Sequence, residues 1–130
     1  MILQPIFSLR TNNFNDPDII EKITDLWAKA LKQLEDHTGS VYGVYHNYDN
    51  NYQGDYDLSI AIPTEQPKDH AITLGEQYRE FIVTMNQPSS IFEMWQHIWQ
   101  LEEKGELNRR YDVDYEEYRP DGTVSIFISI

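Results

Sequence analysis

The chain has 130 residues, with 22 acids against 10 bases and a formal net charge of −12. That balance disfavours DNA, RNA and anionic lipid as partners, because their phosphates would be repelled. The absence of cysteine excludes disulfides, thiolate chemistry and cysteine-based metal sites.

Residues 5–10 read as a first strand, with Phe7 and Leu9 on one face, followed by the polar loop Thr11-Asn12-Asn13-Phe14-Asn15. Asp16-Pro17 opens a helix, the acid as cap and the proline at the first helical position. Its apolar positions, Ile19, Ile20, Ile23, Leu26, Trp27, Ala30, Leu31 and Leu34, form one face of an amphipathic helix. The helix is expected to stop near His37-Thr38-Gly39, with Gly39 in a left-handed conformation. Trp27 sits on an otherwise aliphatic stripe and reads as core. Residues 41–48 and 55–62 are strands, and the turn residues Asp49-Asn50-Asn51-Tyr52-Gln53-Gly54 make them a hairpin. Residues 63–74 read as a polar linker.

Residues 75–85 form the next strand. Pro88-Ser89-Ser90 then opens a second helix, with Ser90 and Glu93 as a capping box. Ile91, Phe92, Trp95, Ile98 and Trp99 make its apolar stripe, and Gly105 ends it. Residues 110–118 read as a strand in which aromatic and β-branched residues alternate with acids. Tyr111, Val113 and Tyr115 share one face; Asp112, Asp114, Glu116 and Tyr118 share the other. Periodicity leaves open which face lines a cleft, so Tyr115 and Glu116 compete for it. Arg119-Pro120-Asp121-Gly122 is a tight turn, and 123–130 is the closing strand, with Val124, Ile126, Ile128 and Ile130 on one face.

The order strand, helix, strand, turn, strand occurs twice. Trp27 is matched by Trp95, 41–48 by 111–118, and 55–62 by 123–130, giving pseudo-repeats of about 1–66 and 67–130 in a single domain spanning 1–130. A unit of that size buries too little surface to stand alone comfortably, so two units share one core. The fold class is therefore α+β: tandem strand-helix-strand-strand units forming an antiparallel sheet with two helices and a central ligand cleft.

Thr11-Asn12-Asn13, Leu26-Trp27, the hairpin from Tyr45-His46-Asn47-Tyr48 to Gly54-Asp55-Tyr56, Trp95-Gln96-His97-Ile98-Trp99, Arg110-Tyr111 and Asp114-Tyr115-Glu116-Glu117-Tyr118 together resemble the GyrI-like, AraC-type effector-binding domains. The likeness is greatest to the stand-alone, integron-associated branch and covers nearly the whole chain. It implies the duplicated fold and a cleft for small cationic, aromatic or amphiphilic compounds. It also implies that Glu116, in the Asp-aromatic-Glu-x-Tyr pattern, pairs with the ligand's positive charge. Glu117 departs from the family, where that position is usually apolar. The chain leaves no room for a helix-turn-helix module.

The ligand-binding residues expected from these readings are Glu116, Tyr48, Phe92, Trp95, Trp99 and Tyr118. Trp95 serves core and cleft readings equally, whereas Trp99, nearer the helix end, suits a cleft wall. Tyr48 reads as the pseudo-symmetric mate of Tyr118. The four histidines, His37, His46, His70 and His97, lack ligand spacing, so no metal is expected, and no cofactor either. His97 lies off the apolar stripe and is expected to be exposed. No membrane-spanning or signal segment is visible, and a cytoplasmic location is expected. The leading function is a small-molecule sensor or sequestering module, related to transcription regulation, without chemistry of its own. One alternative is a hydrolase of strained electrophiles with Glu116 as base. Another is an acidic inhibitor of a DNA-binding protein partner.

Overall fold

In a computed structural model the backbone is described for residues 1–83 and 88–130, and the side chains for residues 1–83 and 90–130. The chain is α+β: a curled, seven-stranded antiparallel sheet with two helices. In chain order the elements are β1 (Ile2–Thr11), α1 (Ile19–Gln33), β2 (Val41–His46), β3 (Tyr56–Pro63), β4 (Ile72–Thr73), β5 (Tyr78–Val83), α2 (Pro88–Glu103), β6 (Asp114–Tyr118) and β7 (Val124–Ser129). The strand order is β4-β1-β3-β2-β6-β7-β5. Apart from β4, the order mirrors itself about the central β2–β6 pair, so the two strand-helix-strand-strand units meet edge to edge. At that junction Gly43 faces Glu116 across the antiparallel ladder.

Period-2 alternation gives the sheet two apolar faces, each filled differently. On one face Leu58 and Ile60 of β3 lie beneath Leu26 and Ala30 of α1. On the same face Ile126 and Ile128 of β7 lie beneath Trp95 and Ile98 of α2. The opposite face curls onto a third cluster that includes Leu3, Tyr42, Val44, Ile72, Leu74 and Tyr115. Both helices thus cover one face, one per unit, and the strip of sheet between them carries β2 and β6.

Several local expectations are revised. Helix α1 starts at Ile19 after Asp18, whose side chain makes no capping bond, so Asp16 does not hold the cap position and Pro17 is not the first helical residue. Asp16 lies just outside, accepting the Asp18 N–H at 3.0 Å, the Thr11 hydroxyl at 2.7 Å and the Lys22 ammonium at 2.7 Å. The helix ends at Gln33, and Gly39 is not among the residues with positive φ. Ile20 and Leu31 are exposed, so the buried stripe of α1 is narrower than its apolar residues suggest. Helix α2 begins at Pro88, which makes Ser90 its third residue and not its cap; the cap position lies outside the described residues. Gly105 ends α2 at φ +74°, as its position after Lys104 requires. The linker contains the short strand β4, paired with Ile2 and Leu3. Strand β5 begins at Tyr78, and the expected Thr84 and Met85 lie outside the described residues. Strand β6 is shorter than expected. Residues 110–113 are not in the ladder, because Tyr111 adopts φ +54° and turns the chain there. Among the described residues no helix is long and apolar enough to cross a membrane.

Candidate functional site

The strip between the helices opens into a cleft of about 370 Å³. Its floor is β2 and β6. One wall is α1, through Ile23 and Trp27, and the other is α2, through Ile91, Phe92, Trp95 and Trp99. Eight of the lining residues are Tyr or Trp, so the surface is apolar but edged with phenol and indole donors.

Glu116 lies at the centre of the floor, 3% exposed. Its Oε2 accepts hydrogen bonds from Trp95 Nε1 at 2.7 Å and the Tyr45 hydroxyl at 2.9 Å. Its Oε1 accepts from the Tyr118 hydroxyl at 2.6 Å. Among the described residues no Lys, Arg or His forms an ion pair with it. Burial raises its pKa above the ordinary 4.5, and the three donors pull it back. Burial and the adjacent carboxylate hold the Tyr45 and Tyr118 phenols well above 10, so both remain donors. The carboxylate is therefore solvated by neutral groups, with no counter-charge paired to it among the described residues.

Gly43 makes this placement possible. A Cβ there would lie 3.1 Å from Glu116 Oε1 and 3.3 Å from the Trp27 indole. The glycine opposite the acid leaves room for both groups over the strand.

A second polar group sits at the α2–β6 end of the cleft. Asp114 is fully buried on the Glu116 face of β6. Its Oδ1 accepts from Ser129 N at 2.8 Å and Ser129 Oγ at 3.0 Å. Its Oδ2 accepts from the Tyr48 hydroxyl at 2.6 Å and Arg109 Nη2 at 2.7 Å. Burial alone would lower the Arg109 pKa, but Asp114 together with Tyr48 and Tyr111 raises it overall, and the guanidinium stays charged. Tyr111 and Tyr52 donate to Glu102 and Glu103 at the end of α2. Tyr52 also stacks on Trp99 with centroids 5.5 Å apart, and the exposed Phe14 packs beside both.

All six residues expected from sequence line this cleft. Glu116, Tyr118 and Trp95 form one hydrogen-bonded group. Trp99 stands at the mouth, and Phe92 is at the rim, 56% exposed. Tyr48 lines the cleft, but its hydroxyl serves Asp114; Tyr45 is the β2 tyrosine that reaches Glu116. The competing face is settled: Tyr115 points to the other side and stacks on Phe127. Trp27 is not simply core. It is half-buried and packs edge-on against Tyr118 at 4.9 Å, in the cleft wall. His97 is exposed.

Sequence reasoning missed Tyr45, Arg109 and Asp114 as parts of the site. Tyr45 had a signal in the same-face alternation Gly43-Tyr45. The Arg109–Asp114 pair had none, because it depends on the turn at Tyr111. Among the described residues no group of three or more His, Cys, Asp or Glu could hold a metal ion.

No protein-family model matches the chain, and no curated protein matches it. Among solved structures it is similar to the integron cassette protein VCH_CASS2, from the mobile metagenome of Vibrio cholerae. The two share 25% identity and a TM-score of 0.75, over 98% of this chain and 88% of that one.

Proposed function

We propose that this chain is a small-molecule binding protein for cationic aromatic or amphiphilic compounds, a GyrI-like, AraC-type effector-binding domain that acts as a sensor or sequestering module. The observation that carries the reading is the buried Glu116 carboxylate, held by three neutral donors and, among the described residues, paired with no cation. A buried ion without a partner is expensive, and a ligand cation would relieve that cost. Aromatic walls add cation–π attraction of about 0.5–2 kcal/mol per contact. The likeness to an integron cassette protein supports the integron association in this reading.

The hydrolase alternative asks Glu116 to act as a general base. Its raised pKa favours that role, but both carboxylate oxygens are already occupied by donors. Return of the ligand unchanged distinguishes a binder from an enzyme. Tryptophan quenching by matched cationic and neutral aromatics tests the main reading. Glu116→Gln should weaken the cations by roughly thirtyfold or more and the neutral compounds by about threefold at most. Equal loss for both classes would remove the charge-pairing role.

A further inference from the structure

Arg109 is a buried guanidinium with more donors than partners. Its side chain is 1% exposed. Of its five N–H donors, one makes a short bond, from Nη2 to Asp114. The bonds to the Tyr48 hydroxyl, at 3.4 Å, and to Glu102, at 3.5 Å, are long. Nε is buried and meets no acceptor among the described residues. An unsatisfied buried donor is costly, and more so when charged. Aromatic faces surround the group: its Cζ lies 4.2 Å from the Tyr111 ring centroid and 5.9 Å from those of Tyr48 and Trp95. Arg109 also lines the cleft.

Trp95 relates this group to the acid. Its Nε1 holds Glu116, and its ring lies against Arg109. A carboxylate without a cation and a guanidinium with an unused donor are therefore separated by about one indole. The charge of Arg109 is already offset by Asp114, with Glu102 beside it, so an anion gains little there. A neutral acceptor such as a carbonyl or ether oxygen meets the donor without a charge penalty.

We propose that Arg109 is a second ligand anchor, so that the preferred ligand carries a neutral hydrogen-bond acceptor about one aromatic ring away from its cation. This rests on the cation-binding reading of Glu116. The proposal converts a general cation cleft into one that selects by the spacing of two polar groups.

The test uses two quaternary ammonium compounds of the same shape, (4-acetylbenzyl)trimethylammonium and (4-isopropylbenzyl)trimethylammonium, titrated by calorimetry. The wild-type protein should bind the acetyl compound about tenfold more tightly. Arg109→Lys keeps a positive partner for Asp114 but loses the planar fork. In that variant the preference, read as the ratio of the two affinities, should fall to about twofold whatever the change in absolute affinity. A purely structural role would weaken both compounds by the same factor, leave the preference near tenfold and overturn the proposal. Equal binding of the two by the wild type would also overturn it while leaving the cation reading intact. That comparison decides the matter even if Arg109→Lys does not fold. Failure of both to bind would instead remove the cation reading and this proposal with it.

Discussion

Glu116 and Gly43 illustrate how far a site can depend on a residue with no side chain. The acid is held by Tyr45, Trp95 and Tyr118, and the space for its Oε1 exists because position 43 lacks a Cβ. Glycine inside a strand normally costs about 0.5–1 kcal/mol relative to alanine, so Gly43→Ala would stabilise the protein if backbone entropy alone mattered. Here the added methyl presses on a buried carboxylate and an indole. Gly43→Ala should therefore destabilise the fold by about 1–3 kcal/mol in a denaturant titration and weaken cation binding in the same direction. An increase in stability would show that Glu116 moves aside freely. The residue scale also explains why Tyr45 was overlooked in favour of Tyr48. Asn47 has φ +51°, which ends β2 and sends Tyr48 toward Asp114, and nothing in the sequence forces that turn at Asn47.

At the scale of elements, the two helices differ in what they give the cleft. Helix α2 presents Trp95 inward and Trp99 outward one turn later; Trp99 meets Tyr52, Phe14 and Phe92 with centroids 5.5–6.2 Å away. Trp95 is tied to both core and acid, whereas Trp99 belongs to the mouth. Trp99→Ala should lower ligand affinity about tenfold and cost only about 1–2 kcal/mol of stability, since the side chain is half-exposed. A loss comparable to that of a fully buried core residue, such as Ile98→Ala, would place Trp99 in the core instead. Both helices and most strands were legible because their periods, 3.6 and 2, are written in runs such as Ile23-Leu26-Trp27-Ala30 and Val124-Ile126-Ile128. The elements that escaped were short or set by distant partners. Strand β4 exists only because Ile72 and Thr73 find Leu3 and Ile2. Residues 110–113 alternate like a strand, yet Tyr111 turns toward Tyr48 and Glu102 and leaves the ladder. Local alternation carries no information about such partners.

For the molecule as a whole, acidity acts on binding and on folding through different groups. Glu116 must be ionised to pair with a cation, and burial sets its pKa above 4.5. Cation affinity should thus be constant well above that raised value, then fall about tenfold per pH unit below it. A neutral aromatic ligand should show no such slope, and a parallel slope would point to general loosening. Folding follows the opposite sign at Glu116. Its raised pKa favours the folded state at low pH, and that contribution is lost as pH rises through the folded value. Asp16 is held down to about 2, first by the Lys22 ammonium and then by the Thr11 hydroxyl. Its contribution is complete above its ordinary value near 3.8 and disappears as pH falls toward 2. Acid unfolding monitored with and without Asp16→Asn should therefore differ above pH 4 and converge near pH 2. The mirrored strand order has one further consequence. Glu116 and Gly43 oppose each other at the join of the two units, one residue bearing a charge and the other no side chain. The seam between the halves therefore holds one buried charge, not two, and a single cationic guest suits that inequality.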